Sequence, residues 1–244
     1  DVADLHRLTA TVQGALARNT SAKAAVEIAL YDLYGQLQGA PLYRALGGGV
    51  PRLTTDITIS VDTVDKMVTD ALSAIERGFG CLKVKVGKDI SVDVERVKAI
   101  HAAVAGRAEL RLDANQGWTP EEAVRALHAL ETAGIELDLV EQPVKAADID
   151  GLKYVTDRVT TPVLADESAF GLDDVVEVIR RHAADIVNIK LMKTGGISTA
   201  LRIADVCAEH GMECMIGCML ETSISVAAAA HVAVARADVI RRVD

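Results

Sequence analysis

Five charged residues recur along the chain at a steady interval. They are Lys85, Asp113, Glu141, Asp166 and Lys190, spaced by 24 to 28 residues. Each closes a short apolar run: CLKVKV, ELRLD, LDLVEQ, PVLAD and DIVNIK. The order is lysine, three acids, lysine. Three carboxylates brought to one place repel one another, and a divalent cation relieves that repulsion. Oxygen donors with no His or Cys among them point to Mg²⁺, with Mn²⁺ as the alternative, rather than to zinc. A carbon beside a carboxylate is a very weak acid, and its deprotonation gives an enediolate whose charge a chelating metal stabilises. Lysines flanking the acids could remove a proton from one face of such a carbon and return it on the other. That is a 1,1-proton transfer, a racemisation or epimerisation of a small-molecule carboxylate.

Lys83 and Lys85 lie two apart in a strand-like run, so both point to the same face. A lysine acting as a base must be neutral, and a second cation close by favours the neutral form. Lys85 is therefore read as one base. Lys83 is read as the neighbour that activates it and as a contact for the substrate carboxylate. Lys190 is read as the base for the opposite face, and Asp113, Glu141 and Asp166 as the metal ligands. Asp166 has a competing reading as the cap of the following helix, with Glu167 as the participant. Lys88 and Lys193 are expected to be solvated or peripheral. The KTGGIS stretch after Lys190 reads as a tight turn, with phosphate binding at a helix start as the weaker reading. Trp118 and Gln116 are read equally as pocket lining or packing, and Glu221 as a contact for Lys190 or substrate.

The elements that must position these residues alternate regularly. Residues 1–47 read as helical. After Pro51, strands are expected at 55–60, 81–86, 109–113, 137–142, 162–166, 185–190, 213–217 and 238–243, with amphipathic helices between them. Before one of these helices stand Thr119 as a candidate N-cap and Pro120 at the first helical position. Repeated strand–helix units with right-handed crossovers give a parallel sheet. Eight evenly spaced strands favour a TIM-like barrel over an open doubly wound sheet, and barrel chemistry sits at the C-terminal strand ends. No Gly-x-Gly-x-x-Gly follows the first strand, which weakens a dinucleotide reading.

Composition narrows the partners. The 244 residues carry a net charge of −9, which argues against nucleic acid or an anionic membrane as the main partner. No apolar run reaches the roughly 18 residues of a membrane span, and no secretory leader opens the chain. Cys81, Cys207, Cys214 and Cys218 are expected to be reduced thiols of a cytoplasmic protein. Oligomeric state is left open, a homo-oligomer included.

KVKVG, DANQGW, EQP, ADES and NIKLMKTGG, in that order, resemble the enolase superfamily. The use of Lys rather than a late-strand His is similar to the muconate-lactonising subgroup. NIKLMKTGGI followed by MIGCMLETSISVAAAAH resembles the dipeptide (L-Ala-D/L-Glu) epimerases most. The resemblance implies an α/β fold: a TIM-like (β/α)7β barrel over 51–244, preceded at 1–50 by the helical part of an α+β capping domain. It implies Mg²⁺-dependent epimerisation of a dipeptide, with no nucleic acid and no membrane as partner. It also implies an Asp-x-Asp on the last strand that holds the substrate ammonium. Asp244 could be the first of that pair, and the second is absent, as are the early cap strands. The sequence is therefore expected to represent the natural chain incompletely.

Rival readings use the same residues differently. A muconate-type cycloisomerase or a succinylbenzoate synthase-like lyase would share the metal and the lysines. A class I aldolase would form a Schiff base at Lys190, which leaves the acids unexplained. An inactive or binding-only barrel fragment is the non-enzymatic alternative.

Overall fold

The computed structural model describes residues 2–244. Three helices come first: α1 (Leu5–Ala15), α2 (Thr20–Gln38) and α3 (Leu42–Ala45). Strands and helices then alternate as β1 (Ile57–Ile59), α4 (Val64–Glu76), β2 (Cys81–Lys85), α5 (Ile90–Val104), β3 (Glu109–Asp113), α6 (Pro120–Glu131), β4 (Leu139–Glu141) and α7 (Ile149–Thr156). They continue as β5 (Val163–Ala165), α8 (Leu172–Arg181), β6 (Ile186–Ile189), α9 (Leu191–Thr194), α10 (Ile197–Glu209), β7 (Glu213–Ile216), α11 (Ser223–Ala235) and β8 (Ile240–Val243). The strands lie in one sheet in the order β1 to β8. All eight expected strands are present, trimmed at their ends to the residues that enter the ladder.

The helical reading of 1–47 breaks at Leu16–Asn19, where Arg18 and Asn19 adopt left-handed backbone (φ 56° and 49°). Before α6 the expected start is complete. The Thr119 side chain accepts from the Glu122 N–H, the Glu122 side chain accepts from the Thr119 N–H, and Pro120 opens the helix. Among the described residues no helix is long and apolar enough to cross a membrane.

The chain divides into two compact units. One comprises residues 55–168 and 177–187; the other comprises 1–54, 169–176 and 188–244. The first holds β1 to β5 and the start of β6. Its register pairs Lys83 with Arg111 and Lys85 with Asp113, and then Arg111 with Leu139 and Asp113 with Glu141. Paired residues of parallel strands point to the same side, so the sheet presents successive rows. Lys85, Asp113 and Glu141 form the row at the C-terminal strand ends. Lys83 and Arg111 belong to the row beneath.

Arg111 is buried and makes ion pairs with Asp56 (2.8 Å) and Asp138 (2.7 Å), which stand just before β1 and β4. Cys81, at the start of β2, lies beside this group. Burial pushes its thiol up to about 12 from an ordinary 9.0; Arg111 opposes the rise, and Asp56 and Asp138 add to it. All four cysteines are free thiols; Cys81, Cys207 and Cys214 are buried and Cys218 is half-buried.

An unfolded Cys81 loses its proton near 9 and the folded one near 12, so the folded state binds more protons in between. Stability is constant below about pH 9 and falls as pH rises toward about 12, by at most about 1.4 kcal/mol per pH unit from this group. Urea unfolding of the wild type and of Cys81→Val across that range should show the variant with the flatter dependence.

Candidate active site

The first unit gathers the acids that the sequence singled out. Asp113 is 1% exposed, Glu141 0% and Asp166 2%. Lys83, 4% exposed, places its Nζ 2.7 Å from Glu141 Oε2 and 3.2 Å from Asp113 Oδ2. Lys85 is half-buried, and its Nζ lies 2.6 Å from the same Asp113 Oδ2. Both lysines thus converge on one carboxylate oxygen, and Lys83 bridges two acids. Buried charges are tolerated when they are paired in this way.

Asp166 stands just past the end of β5. Glu141 is in register with Leu164, so Asp166 lies two residues further along on the same face. Its N–H donates to Gln142 Oε1 (2.9 Å), and the Ser168 N–H donates to the same oxygen (3.0 Å). The Gln142 Nε2 donates to Val144 O and Ser168 Oγ. Gln142 is fully buried and holds left-handed backbone (φ 37°). It ties the loop after β4 to the loop after β5. The capping reading of Asp166 does not apply, because α8 begins six residues later, and the N–H groups just before it are met by Asp174.

One bracing residue, Asp93, gave no signal in the sequence. Asp93 accepts from the Gly87 and Lys88 N–H groups and from Trp118 Nε1, so it fixes the loop after β2. Trp118 is buried, and the Gln116 Oε1 accepts from the Ala146 N–H, so both are structural braces. Lys88 is exposed as expected.

The second unit carries Lys190, 7% exposed, at the end of β6 and at the N-cap of α9. A Cβ on Gly217 would lie 3.1 Å from Lys190 Cε, so the glycine leaves room for the lysine stem. The expectation for Lys193 is corrected: it is 1% exposed. Its Nζ donates to Asn188 O (2.9 Å), two residues before Lys190, and to Ala169 O (3.2 Å) in the loop after β5.

The KTGGIS stretch is a tight turn. Gly195 and Gly196 have φ of 86° and 133°. The start of α10 is already taken by the buried Glu27, whose Oε2 accepts from the Ser198 N–H (2.9 Å). Its Oε1 accepts from Ser198 Oγ and Gln13 Nε2, both at 2.6 Å. A carboxylate thus fills the place a phosphate would need. Glu221 accepts from the Met219 N–H and the Ser225 hydroxyl at the start of α11. The Asp244 N–H donates to Ile216 O and extends the β7–β8 ladder.

Two family models match: mandelate racemase / muconate lactonizing enzyme, N-terminal domain, over residues 1–47, and enolase C-terminal domain-like over residues 66–241. The chain belongs to the enolase superfamily. It is 50% identical over all of its 244 residues to an L-Ala-D/L-Glu epimerase of Clostridium acetobutylicum, and spans 68% of that protein. It is 48% identical over 231 residues to the L-Ala-D/L-Glu epimerase of Bacillus subtilis, 94% of this chain and 63% of that one. The substrate-liganded structure of the L-Ala-D/L-Glu epimerase from Bacillus subtilis superimposes with a TM-score of 0.97 at 47% identity, over all of this chain and 68% of that one. A dipeptide epimerase from Enterococcus faecalis V583, complexed with Mg and L-Leu-L-Tyr, gives 0.92 at 47% identity over all of this chain and 67% of that one.

The donor chemistry fits a hard divalent cation, since the three expected ligands are buried carboxylates at or just past the ends of three consecutive strands. Among the described residues, however, no three acidic, His or Cys side chains are drawn together into a ready metal cage. Lysine nitrogens supply the positive charge beside Asp113 and Glu141 instead.

Glu27 gives the clearest test of how the Lys190 region is built. Glu27→Ala leaves the Ser198 N–H and hydroxyl without their acceptor and the Gln13 amide with Gly195 O alone. Urea denaturation should show a loss of about 3 kcal/mol.

Proposed function

We propose that this chain carries the catalytic machinery of a Mg²⁺-dependent dipeptide epimerase, acting on a substrate such as L-Ala-L-Glu. The observation that carries the reading is the cluster of buried Lys83, Asp113 and Glu141 with half-buried Lys85 at neighbouring strand ends. Apolar packing alone does not call for four charged side chains there, whereas proton transfer beside a carboxylate uses each of them. The names of the relatives support the dipeptide as substrate class.

In this reading Asp113, Glu141 and Asp166 hold the cation. Bound there, Mg²⁺ would stabilise the negative charge that a substrate carboxylate gains as its neighbouring carbon loses a proton. Mn²⁺ accepts the same oxygen donors. Lys83 and Lys85 stand at the first face of that carbon. Lys85 Nζ takes the α-proton of one epimer, while Lys83 contacts the carboxylate. Lys190 returns a proton from the other face and is the base for the reverse direction. Glu221 and Asp244 serve the remainder of the dipeptide, with Asp244 meeting its ammonium.

The test is NMR of L-Ala-L-Glu in D₂O with Mg²⁺. Deuterium should enter at the glutamate α-carbon, and the D-epimer should accumulate. Lys190→Ala and Lys85→Ala should each lower inversion by about 100-fold or more. Asp113→Asn should weaken Mg²⁺ binding in a titration before any assay is run. A wild type that exchanges no α-proton with Mg²⁺ bound would remove the dipeptide reading, and full activity in both lysine variants would remove the two-base mechanism.

A further inference from the structure

Asn115 follows Asp113 by two residues in the loop after β3, and it faces Lys85. Its Oδ1 accepts from Lys85 Nζ at 2.7 Å, close to the 2.6 Å of the Asp113 contact. Its Nδ2 donates to Glu167 Oε1 at 3.3 Å, and its N–H donates to Asp113 Oδ1 at 2.9 Å. The Glu167 Oε2 is buried and has no hydrogen-bond partner among the described residues. Glu167 thus spends a partly desolvated carboxylate on the Asn115 amide. An amide presents its oxygen or its nitrogen depending on which neighbour accepts, and the carboxylate settles that choice by accepting from the nitrogen. The oxygen is then left toward Lys85.

The backbone is arranged for this placement. Asn115 and Gln116 are both left-handed, with φ of 41° and 67°. Such backbone in side-chain-bearing residues costs free energy and concentrates where function demands it. The loop is held there by a continuation of the ladder past the strand: the Ala114, Gln116 and Trp118 N–H groups donate to Glu141 O, Gln142 O and Pro143 O. Gly87 and Gly117 interlock on the other side. A Cβ on Gly117 would run into the Gly87 carbonyl, and one on Gly87 would run into the Ala114 carbonyl. The loop that carries Asn115 and the loop that leaves Lys85 therefore fit together only without those side chains.

We propose that Asn115 is a positioning residue for Lys85, with Glu167 orienting its amide. The proposal rests on the reading of Lys85 as a proton-transferring base. Asn115 fixes where the Lys85 nitrogen stands, and it acts on the substrate only through that lysine.

Asn115→Gly separates this role from a structural one, because glycine adopts the left-handed backbone at no steric cost. The midpoint of thermal unfolding should fall only modestly, because the backbone is unstrained and only the side-chain bonds to Lys85 and Glu167 are lost. The kcat for dipeptide epimerisation should fall by about 100-fold with KM little changed, the scale expected for a misplaced reacting group. Asn115→Asp, which keeps an oxygen for Lys85, should lose less. In EDTA-treated protein carrying ¹⁵N-lysine, the Lys85 ammonium should give a slowly exchanging Nζ proton signal in the wild type. That signal should broaden or vanish in Asn115→Gly. An unchanged Lys85 signal, an unchanged kcat, or a raised KM at constant kcat would each overturn the proposal. The NMR comparison needs no turnover, so it decides the hold on Lys85 even if the chain epimerised no dipeptide, a result that would instead sink the functional reading above.

Discussion

The ammonium of Lys83, set between Asp113 and Glu141, ties the sheet to the chemistry. A buried charge is stable only with its partners in place, and here they come from β3 and β4 while the lysine comes from β2. A slip of one residue in any of these strands would turn its charged side chains to the opposite face. The ion pairs and the register therefore enforce each other. The row beneath repeats the arrangement, since Arg111 draws on Asp56 before β1 and Asp138 before β4. Strands of three to five residues have few ladder bonds to define their alignment. Two layers of paired charge add a strong alignment term of their own.

Above those rows, the loops are held by side chains that grip backbone. Asp93, Gln116, Gln142 and Ser168 each satisfy N–H or C=O groups of a neighbouring loop. Left-handed backbone in residues with side chains appears at Asn115, Gln116 and Gln142, in the loops after β3 and β4. At these three positions the side chains so aimed make the contacts described above, with Lys85, Ala146, Asp166 and Ser168.

What the sequence disclosed follows from this design. A charged residue at the end of an apolar run is conspicuous, and a repeat of about two dozen residues per strand–helix unit sets it in phase with its neighbours. Strand positions and the acids were legible for that reason. Lys193 was misread because its surroundings, KTGGIS, look like a polar turn. Its burial comes from Asn188 and from Ala169, a residue 24 positions earlier. Glu27 is a stronger case, since its partner Ser198 lies 171 residues away and no local pattern announces it. Gln142 shows in the sequence only as a polar residue after Glu141, and its hold on Asp166 depends on a left-handed backbone that composition does not reveal.

Both lysines assigned to proton transfer are supported by residues beyond the reacting pair. Around Lys190, Lys193 staples the adjoining backbone and Gly217 clears the path of the stem. Lys85 is defined at its tip, by Asp113 Oδ2 and Asn115 Oδ1. Asp113 cannot give one oxygen fully to Lys83, to Lys85 and to a divalent cation at once. Whatever share it yields to a cation is lost to the lysines, and the amide of Asn115 is then the acceptor that remains for Lys85. A neutral amide offers Lys85 an oriented oxygen without adding a further negative charge beside Asp113 and Glu141, where carboxylates already crowd. On that argument the amide is better suited than a second acid to stand at this position. Glu167 is kept one step back, where its charge orients the amide and does not itself grip the base.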